Sequence, residues 1–421
     1  MSQQRGKGGP RRPEAAYIER TWDGSMLLTV VPFPFSLISR LAHTPTTPPS
    51  SFTHNLSFIM TDYTFQGWAG YGFDSVKGNM KLIDFEPPAF DEDYVDVKIQ
   101  YSGICASDTS QLGGEWGPYN GPIVGGHEII GEVVRVGPKA TGVKVGDLVG
   151  IGAQCDCCRE CEWCEAGKDN FCPDFLYTFG VGGYKRGLNK GKQHYGGFAT
   201  HWRGPARFAI PVPATLDPAQ ASSLMCAGMT VFAPLKRFGV PAKRSVGVLG
   251  IGGLGHMAIK IAKAMGAEVT AISRGEAKKA QALELGADKF IATGPDLKAS
   301  LAPFARSVDI IISTINPPQL DLEAYAGLVK PEGTFCLVGI VTKPLEITAT
   351  QLIRGCIAVA GSNIASPADI AELLQLAAEK KIEPWVQKWK WEDMNKAIVH
   401  TAEGKAKFRN VIVLEQNGGK M

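Results

Sequence analysis

A chain of 421 residues is too long for one ordinary hydrophobic core, so two domains are expected. Its 44 Lys and Arg against 41 Asp and Glu leave a formal charge of +3, which provides no domain-wide positive field for nucleic acid or an anionic membrane and points to a small-molecule partner. Ten cysteines, six of them between 155 and 172, are spaced for a metal rather than a distributed disulfide framework, which places the chain in a reducing, cytoplasmic compartment.

Residues 1–59 mix Pro, Ser, Thr and Arg without a sustained helical period. The apolar piece Met26–Ala42 is shorter than a membrane span, is broken by Pro32 and Pro34 and carries Arg40. It also lacks the basic flank and cleavage site of a signal peptide. Arg and Ser would suit a mitochondrial presequence, but Glu14, Glu19 and Asp23 oppose one. The segment is read as a disordered extension or a mis-assigned start, with Met60 opening the folded protein.

From Met60 the β-branched runs "YVDVKIQYSGI", "EIIGEVVRVG" and "VKVGDLVGIG" close on turn residues, as strands of a small β-barrel-like domain do. After about Cys226 the pattern becomes strand, glycine turn, helix, strand, followed by the short apolar runs "VDIIISTI" and "GTFCLVGI". Repeated βα units of this kind make a doubly wound parallel sheet. Beyond Ile364 come a helical pattern through Ile370, Leu373, Leu374, Leu376 and Ala377 and a closing strand "NVIVL" that returns to the first domain. The expected organisation is α/β with two domains: 226–364 as the doubly wound sheet, and 60–225 together with 365–421 as the other.

Gly250-Ile251-Gly252-Gly253-Leu254-Gly255 satisfies G-x-G-x-x-G between a strand, "VGVL", and a helix from His256 to Met265. Gly250 allows the tight turn, Gly252 lets backbone approach a pyrophosphate, Gly255 permits close helix packing, and the helix N-terminus faces the anion. About 20 residues on, where an NAD site places a carboxylate, stand Ser273 and Arg274, with Lys278 a turn further. A hydroxyl and two cations suit a 2′-phosphate, so NADP(H) is the expected cofactor.

Cys158, Cys161, Cys164 and Cys172 form C-x2-C-x2-C-x7-C, which suits one tetrahedral Zn²⁺ with no open position and a purely structural role. Asp156, Glu160, Glu162, Glu165 and Asp169 around it outnumber Arg159 and Lys168, so it is not a nucleic-acid module. Cys155 and Cys157 are left over. A second, scattered set is Cys105, His127, Glu128 and Cys226: two thiolates, an imidazole and a carboxylate can hold Zn²⁺ with one exchangeable position. A lone Cys or His in each place would be unremarkable core.

The motifs "GICASD", "GHEIIGEVVRVG", "CRECEWCEAGKDNFC", "CAGMT", "GIGGLGH" and "SR" before Lys278 together resemble the zinc-dependent medium-chain alcohol dehydrogenases, closest to their NADP-dependent cinnamyl alcohol dehydrogenase type. The resemblance covers about Met60 to Leu414. It implies a GroES-like catalytic domain beside a Rossmann domain, and two zinc ions per chain. The catalytic ion falls to Cys105, His127 and Cys226 with Glu128 as an alternative or nearby ligand, the structural ion to the four clustered cysteines. Asp108 then orients His127, Ser107 passes the alcohol proton, and Thr230 and Arg409 contact cofactor. Trp116, Asn363 and Ile364 take places that border the substrate pocket in relatives, although Trp116 is equally read as loop packing.

The implied reaction is hydride transfer between NADPH and an aromatic, allylic or aliphatic aldehyde, in a homodimer, with reduction favoured because cells keep NADP reduced. Where the family commonly has a histidine five residues after the first zinc cysteine, this chain has Ser110, so a proton relay would run through water and ribose instead. The alternatives are a polyol or formaldehyde-type dehydrogenase of the same superfamily and, from another class, a non-catalytic binding or structural relative.

Overall fold

In the computed structural model the described residues are 17–20, 26–29, 63–119, 121–180, 183–240 and 244–421. The chain divides into two units, Met1–Met60 and Thr61–Met421. In the first, the strands Tyr17–Arg20 and Met26–Thr29 pair antiparallel. Apart from these strands, the reading of 1–59 as a disordered extension lies outside the described residues.

Within Thr61–Met421 the largest sheet is built around the strand Tyr94–Ile104, whose residues are buried except for Lys98 and Gln100, which are half-buried. Ile129–Val136, His201–Pro205 and Arg409–Val413 all pair with it antiparallel. Leu148–Ile151, Ile210–Pro211 and Val386–Lys390 extend the sheet to seven strands. Of the expected strand "VKVGDLVGIG" only Leu148–Ile151 is extended, because Lys144 through Asp147 turn, with the Lys144 N–H donating to Asp147 Oδ2. A charge lies inside this sheet: Asp96 accepts from Arg203 Nε at 2.6 Å and Nη2 at 2.8 Å, and from the Tyr63 hydroxyl at 2.6 Å. That bidentate pairing compensates the burial of the carboxylate.

The second sheet has six strands, all parallel: Ser245–Leu249, Glu268–Arg274, Lys289–Thr293, Val308–Ser313, Val329–Leu337 and Ala358–Gly361. Numbered in that order they lie 3-2-1-4-5-6 across the sheet, the doubly wound arrangement expected from the repeated βα pattern. Val246, Val248, Ile310, Ile311 and Ile312 are buried, which is why the central strands read as unbroken apolar runs. The edge strand Ala358–Gly361 had no such signature, since Ala358, Val359 and Gly361 are exposed.

One apolar core runs from this sheet across to Ile130, Val411 and Val413 of the first. The closing strand does more than fill space. Pairing of Asn410 with Ile104 sets Arg409 beside the end of the strand that leads into Cys105.

Candidate active site and metal centres

Cys105 follows the strand Tyr94–Ile104 and begins the helix Ala106–Leu112. On the first turn of that helix the fully buried Asp108 ties three backbone or side-chain groups together. Its Oδ2 accepts from the Cys105 N–H at 2.7 Å, while Oδ1 accepts from the Gly126 N–H at 2.9 Å and lies 3.0 Å from His127 Nδ1. Holding Nδ1 leaves Nε2 as the donor atom, 3.1 Å from the Cys226 Sγ. Cys226 comes from the middle of a five-residue π-helical turn, Leu224–Gly228, set between two α-helices. Such widened turns are rare and recur at functional sites, and no residue pattern announces this one.

The donors of Cys105, His127, Glu128 and Cys226 all lie within 4.8 Å of one another and are buried. The two sulfurs are 3.9 Å apart. Tetrahedral ligands with zinc–sulfur bonds of about 2.3 Å stand about 3.8 Å from each other, so the set fits zinc. Electrostatics agree. Cys105 is held well below the usual thiol range, as hydrogen bonding with Cys226 and the Arg409 charge outweigh its burial, whereas the same hydrogen bond and burial push Cys226 well up. Burial would lower His127, yet the Asp108 carboxylate overrides it and lifts the imidazole to about 10. The pocket is thus built to hold positive charge.

Glu128 gives one carboxylate oxygen to Arg409 Nη2, and its buried Oε2 has no hydrogen-bond partner. Gly103 makes this possible, because a Cβ there would fall 2.0 Å from that oxygen. Arg409 Nη1 lies 4.0 Å from the Cys105 sulfur and also against Gly253, where an added Cβ would meet it at 3.0 Å. One guanidinium therefore touches both the donor set and the glycine turn.

Ser107 Oγ lies 3.7 Å from the Cys105 sulfur. One turn on, Ser110 donates to Glu115 Oε2 at 2.7 Å. Gln111, four residues after Ser107 and so on the same helix face, is buried with its Nε2 unpaired, and the Phe179 ring stacks on His127 at 5.5 Å. Sequence reasoning missed Glu115, Gln111 and Phe179. The i, i+4 spacing of Ser107 and Gln111 was the one available signal.

On the cofactor side, Gly250 has φ 92° and a Cβ at Gly255 would stand 1.9 Å from the Gly250 carbonyl oxygen, so both positions require glycine. Gly252 caps the helix Gly253–Ala264, which includes Leu254 and starts three residues before the expected His256. Ser273 and the exposed Arg274 end the neighbouring strand, and Lys278 Nζ donates to the Ile251 carbonyl at 2.6 Å, next to the turn. Thr230 stands one turn after Cys226 on the helix Met229–Arg237, where its hydroxyl works against the upward push on the Cys226 thiol.

The second centre is local. The thiols of Cys158, Cys161, Cys164 and Cys172 lie within 4.8 Å of one another, with sulfur separations of 3.9 Å (158 to 164) and 3.6 Å (161 to 164). Backbone N–H groups of Cys158, Cys161 and Asp174 each donate to a sulfur of the set at 3.3 Å, as suits thiolates bound to a closed zinc site.

The three residues expected at the substrate pocket have no hydrogen bond to either donor set among the described residues. Trp116 is 43 % exposed on the loop after the helix, and Asn363 is exposed. Ile364 is buried, with its carbonyl accepting from Asn170 Nδ2 of the four-cysteine lobe at 3.1 Å.

Residues 91–214 match the family described as alcohol dehydrogenase GroES-like domain, and residues 253–379 match zinc-binding dehydrogenase. An aldehyde reductase from Synechocystis sp. is 36% identical over 348 residues, covering 82% of this chain and 99% of that protein. Among solved structures, a cinnamyl alcohol dehydrogenase from Sorghum bicolor superposes with TM-score 0.77 at 35% identity, covering 85% of this chain and 99% of that one. The enzyme of the same name from Helicobacter pylori, complexed with NADP(H), gives 0.75 at 32% identity, covering 84% and 99%. The chain belongs to the zinc-dependent medium-chain alcohol dehydrogenases, in their cinnamyl alcohol dehydrogenase type.

Proposed function

We propose that the protein reduces aromatic, allylic or aliphatic aldehydes with NADPH, using a catalytic zinc at Cys105, His127 and Cys226 and a structural zinc at Cys158, Cys161, Cys164 and Cys172. The observation that carries this reading is the convergence around Cys105: a hydroxyl, Ser107, lies on one side of the donor set, and Arg409 joins that set to the dinucleotide turn. When bound, the catalytic zinc supplies a Lewis acid and the nicotinamide supplies the hydride. Asp108 fixes the orientation of His127. Glu128 Oε2 is the remaining donor at the site.

Ser107 delivers the proton to the substrate oxygen, and Ser110 with Glu115 offers a hydroxyl and a carboxylate one helical turn further out, toward solvent. Gln111 and Phe179 form part of the wall against which the substrate lies. Gly250, Gly252, Gly253, Leu254 and Gly255 receive the pyrophosphate, Ser273, Arg274 and Lys278 the 2′-phosphate, and Thr230 the nicotinamide half.

The same reading takes 226–364 as the cofactor domain and 60–225 with 365–421 as the catalytic domain. It makes the protein a cytoplasmic homodimer joined through the edge strand Ala358–Gly361, on which Val359 is 37 % exposed. None of the ten cysteines is in a disulfide, and among the described residues no helix is long and apolar enough to cross a membrane. The test is oxidation of NADPH and of NADH against a panel of aldehydes, with zinc counted per chain. Turnover with NADPH well above NADH and two zinc ions are expected; strict NADH preference, or no aldehyde turned over, overturns the reading.

A further inference from the structure

The four-cysteine lobe contains more thiol than a tetrahedral ion uses. Cys157 is buried at the inner side of the lobe, and its sulfur, the Cys164 sulfur and a carboxylate oxygen of Asp169 lie within 4.8 Å of one another. Three such donors suggest either a second ion sharing Cys164 or a spare ligand for the first. Arg207 decides between them. Its Nε donates to Asp169 Oδ1 at 2.9 Å and its Nη2 to Oδ2 at 3.1 Å, so both oxygens are engaged and a permanent positive charge stands where a second cation would have to sit. Cys157 completes that arrangement by donating its S–H to Oδ1 at 3.3 Å.

We propose that Cys157 is a reserve ligand of the four-cysteine centre, able to take the coordination position of Cys164 when that bond opens or that thiol is lost. The inference rests on the proposed reading of the lobe as a structural zinc site. Cys157 directly precedes Cys158, so its backbone is already fixed at the centre and a change of side-chain rotamer carries the sulfur toward the vacated position. In the exchange the Cys164 sulfur–metal bond and the Cys157 S–H bond break, the Cys157 sulfur bonds the metal, and the proton ends on the released Cys164 thiolate, or in solvent where Cys164 has been replaced, so the coordination number stays at four. Cys155 has no such part: it belongs to no cluster of donors among the described residues and gives its S–H to the Tyr177 carbonyl at 3.1 Å.

The test uses the full chain loaded with Co²⁺, whose thiolate charge-transfer absorbance rises with the number of bound sulfurs. Cys164→Ser is expected to keep the wild-type metal count and band intensity, and the double variant Cys157→Ser/Cys164→Ser to lose one sulfur's share or the ion itself. Challenged with a chelator, Cys157→Ser with all four proposed ligands in place is expected to release the lobe's metal about tenfold faster than wild type, the scale on which groups behind a metal's ligands act. Absence of metal from the lobe in the wild type would defeat the structural-zinc reading itself. Metal in the wild type, with Cys164→Ser either one sulfur short or as insoluble as the double variant, overturns the reserve-ligand inference alone, as does a chelator release rate unchanged by Cys157→Ser.

Discussion

The two cysteine-bearing centres differ in how they are made. Cys158, Cys161, Cys164 and Cys172 come from one loop of fifteen residues whose geometry is local, with Cys158 and Cys161 half-buried. Cys105, His127 and Cys226 come from a strand end, a loop and a π-helical turn, are all buried, and meet only because the sheet around Tyr94–Ile104 and the helices after Ser223 are in place. A local cluster can help the chain fold, since few other contacts are needed to form it. A scattered one is a product of folding, so its donors are free to be arranged for chemistry. Asp108 belongs to the second kind, spending both oxygens on positioning.

The sharpest way to break this contrast is Cys161→Ala. Structural zinc contributes on the order of 10 kcal/mol in small zinc modules, as much as the whole stability of a typical domain. The variant is expected to lose one zinc per chain and to partition into the insoluble fraction; a melting temperature equal to wild type would show the lobe to be dispensable. Next comes Arg274→Asp. Replacing a cation by a carboxylate at the position proposed to meet the 2′-phosphate is expected to raise KM for NADPH about a hundredfold while leaving the fold intact, given about 1.5–3 kcal/mol for a charge-assisted contact. Saturation kinetics with NADPH and NADH measure it.

Asp108→Asn tests positioning. Groups behind metal ligands act on the scale of about 10–100-fold in metal affinity, and chelator titration followed by zinc counting is expected to show that loss at the catalytic set with the four-cysteine set untouched. Loss of metal from the four-cysteine set instead would contradict the division of labour.

A smaller effect concerns acid stability. Burial holds both His194 and His256 at about 4, below the 6.5 of an unfolded histidine. The unfolded chain therefore binds protons that the folded one refuses as pH falls from about 6.5 toward 4, and stability drops over that window by about 1.4 kcal/mol per pH unit for each histidine. Above pH 6.5 this contribution is fully present. Thermal melts of wild type and His194→Gln between pH 7.5 and 4.5 check it: the variant's curve should be flatter. The smallest expected change is in Ser110→His, which places an ionisable ring where Ser110 meets Glu115. The pH profile of kcat for alcohol oxidation should gain or sharpen an ionisation in the histidine range; identical profiles would remove Ser110 from the proton path.

Much of this was legible in the residues because it depends on local pattern. The strand "YVDVKIQYSGI" is extended from Tyr94 to Ile104 as its β-branched composition suggests, and Gly250 and Gly255 show the positive φ and close approach that G-x-G-x-x-G encodes. What escaped was tertiary. The π-helical turn at Cys226 has no composition of its own, the edge strand Ala358–Gly361 lacks a buried face, and the unpaired amide of Gln111 acquires meaning only once Ser107 and Cys105 are beside it. The dense run of cysteines advertises the donor set proposed as structural, whereas the set proposed to react is spread over 121 residues between Cys105 and Cys226.

The central claim is that the chemistry belongs to the scattered set. Its most direct test is aldehyde-dependent NADPH oxidation by Cys105→Ser beside wild type, with a melting curve of each. The account predicts turnover reduced below detection at a melting temperature close to wild type. Wild-type turnover in the folded variant would contradict it.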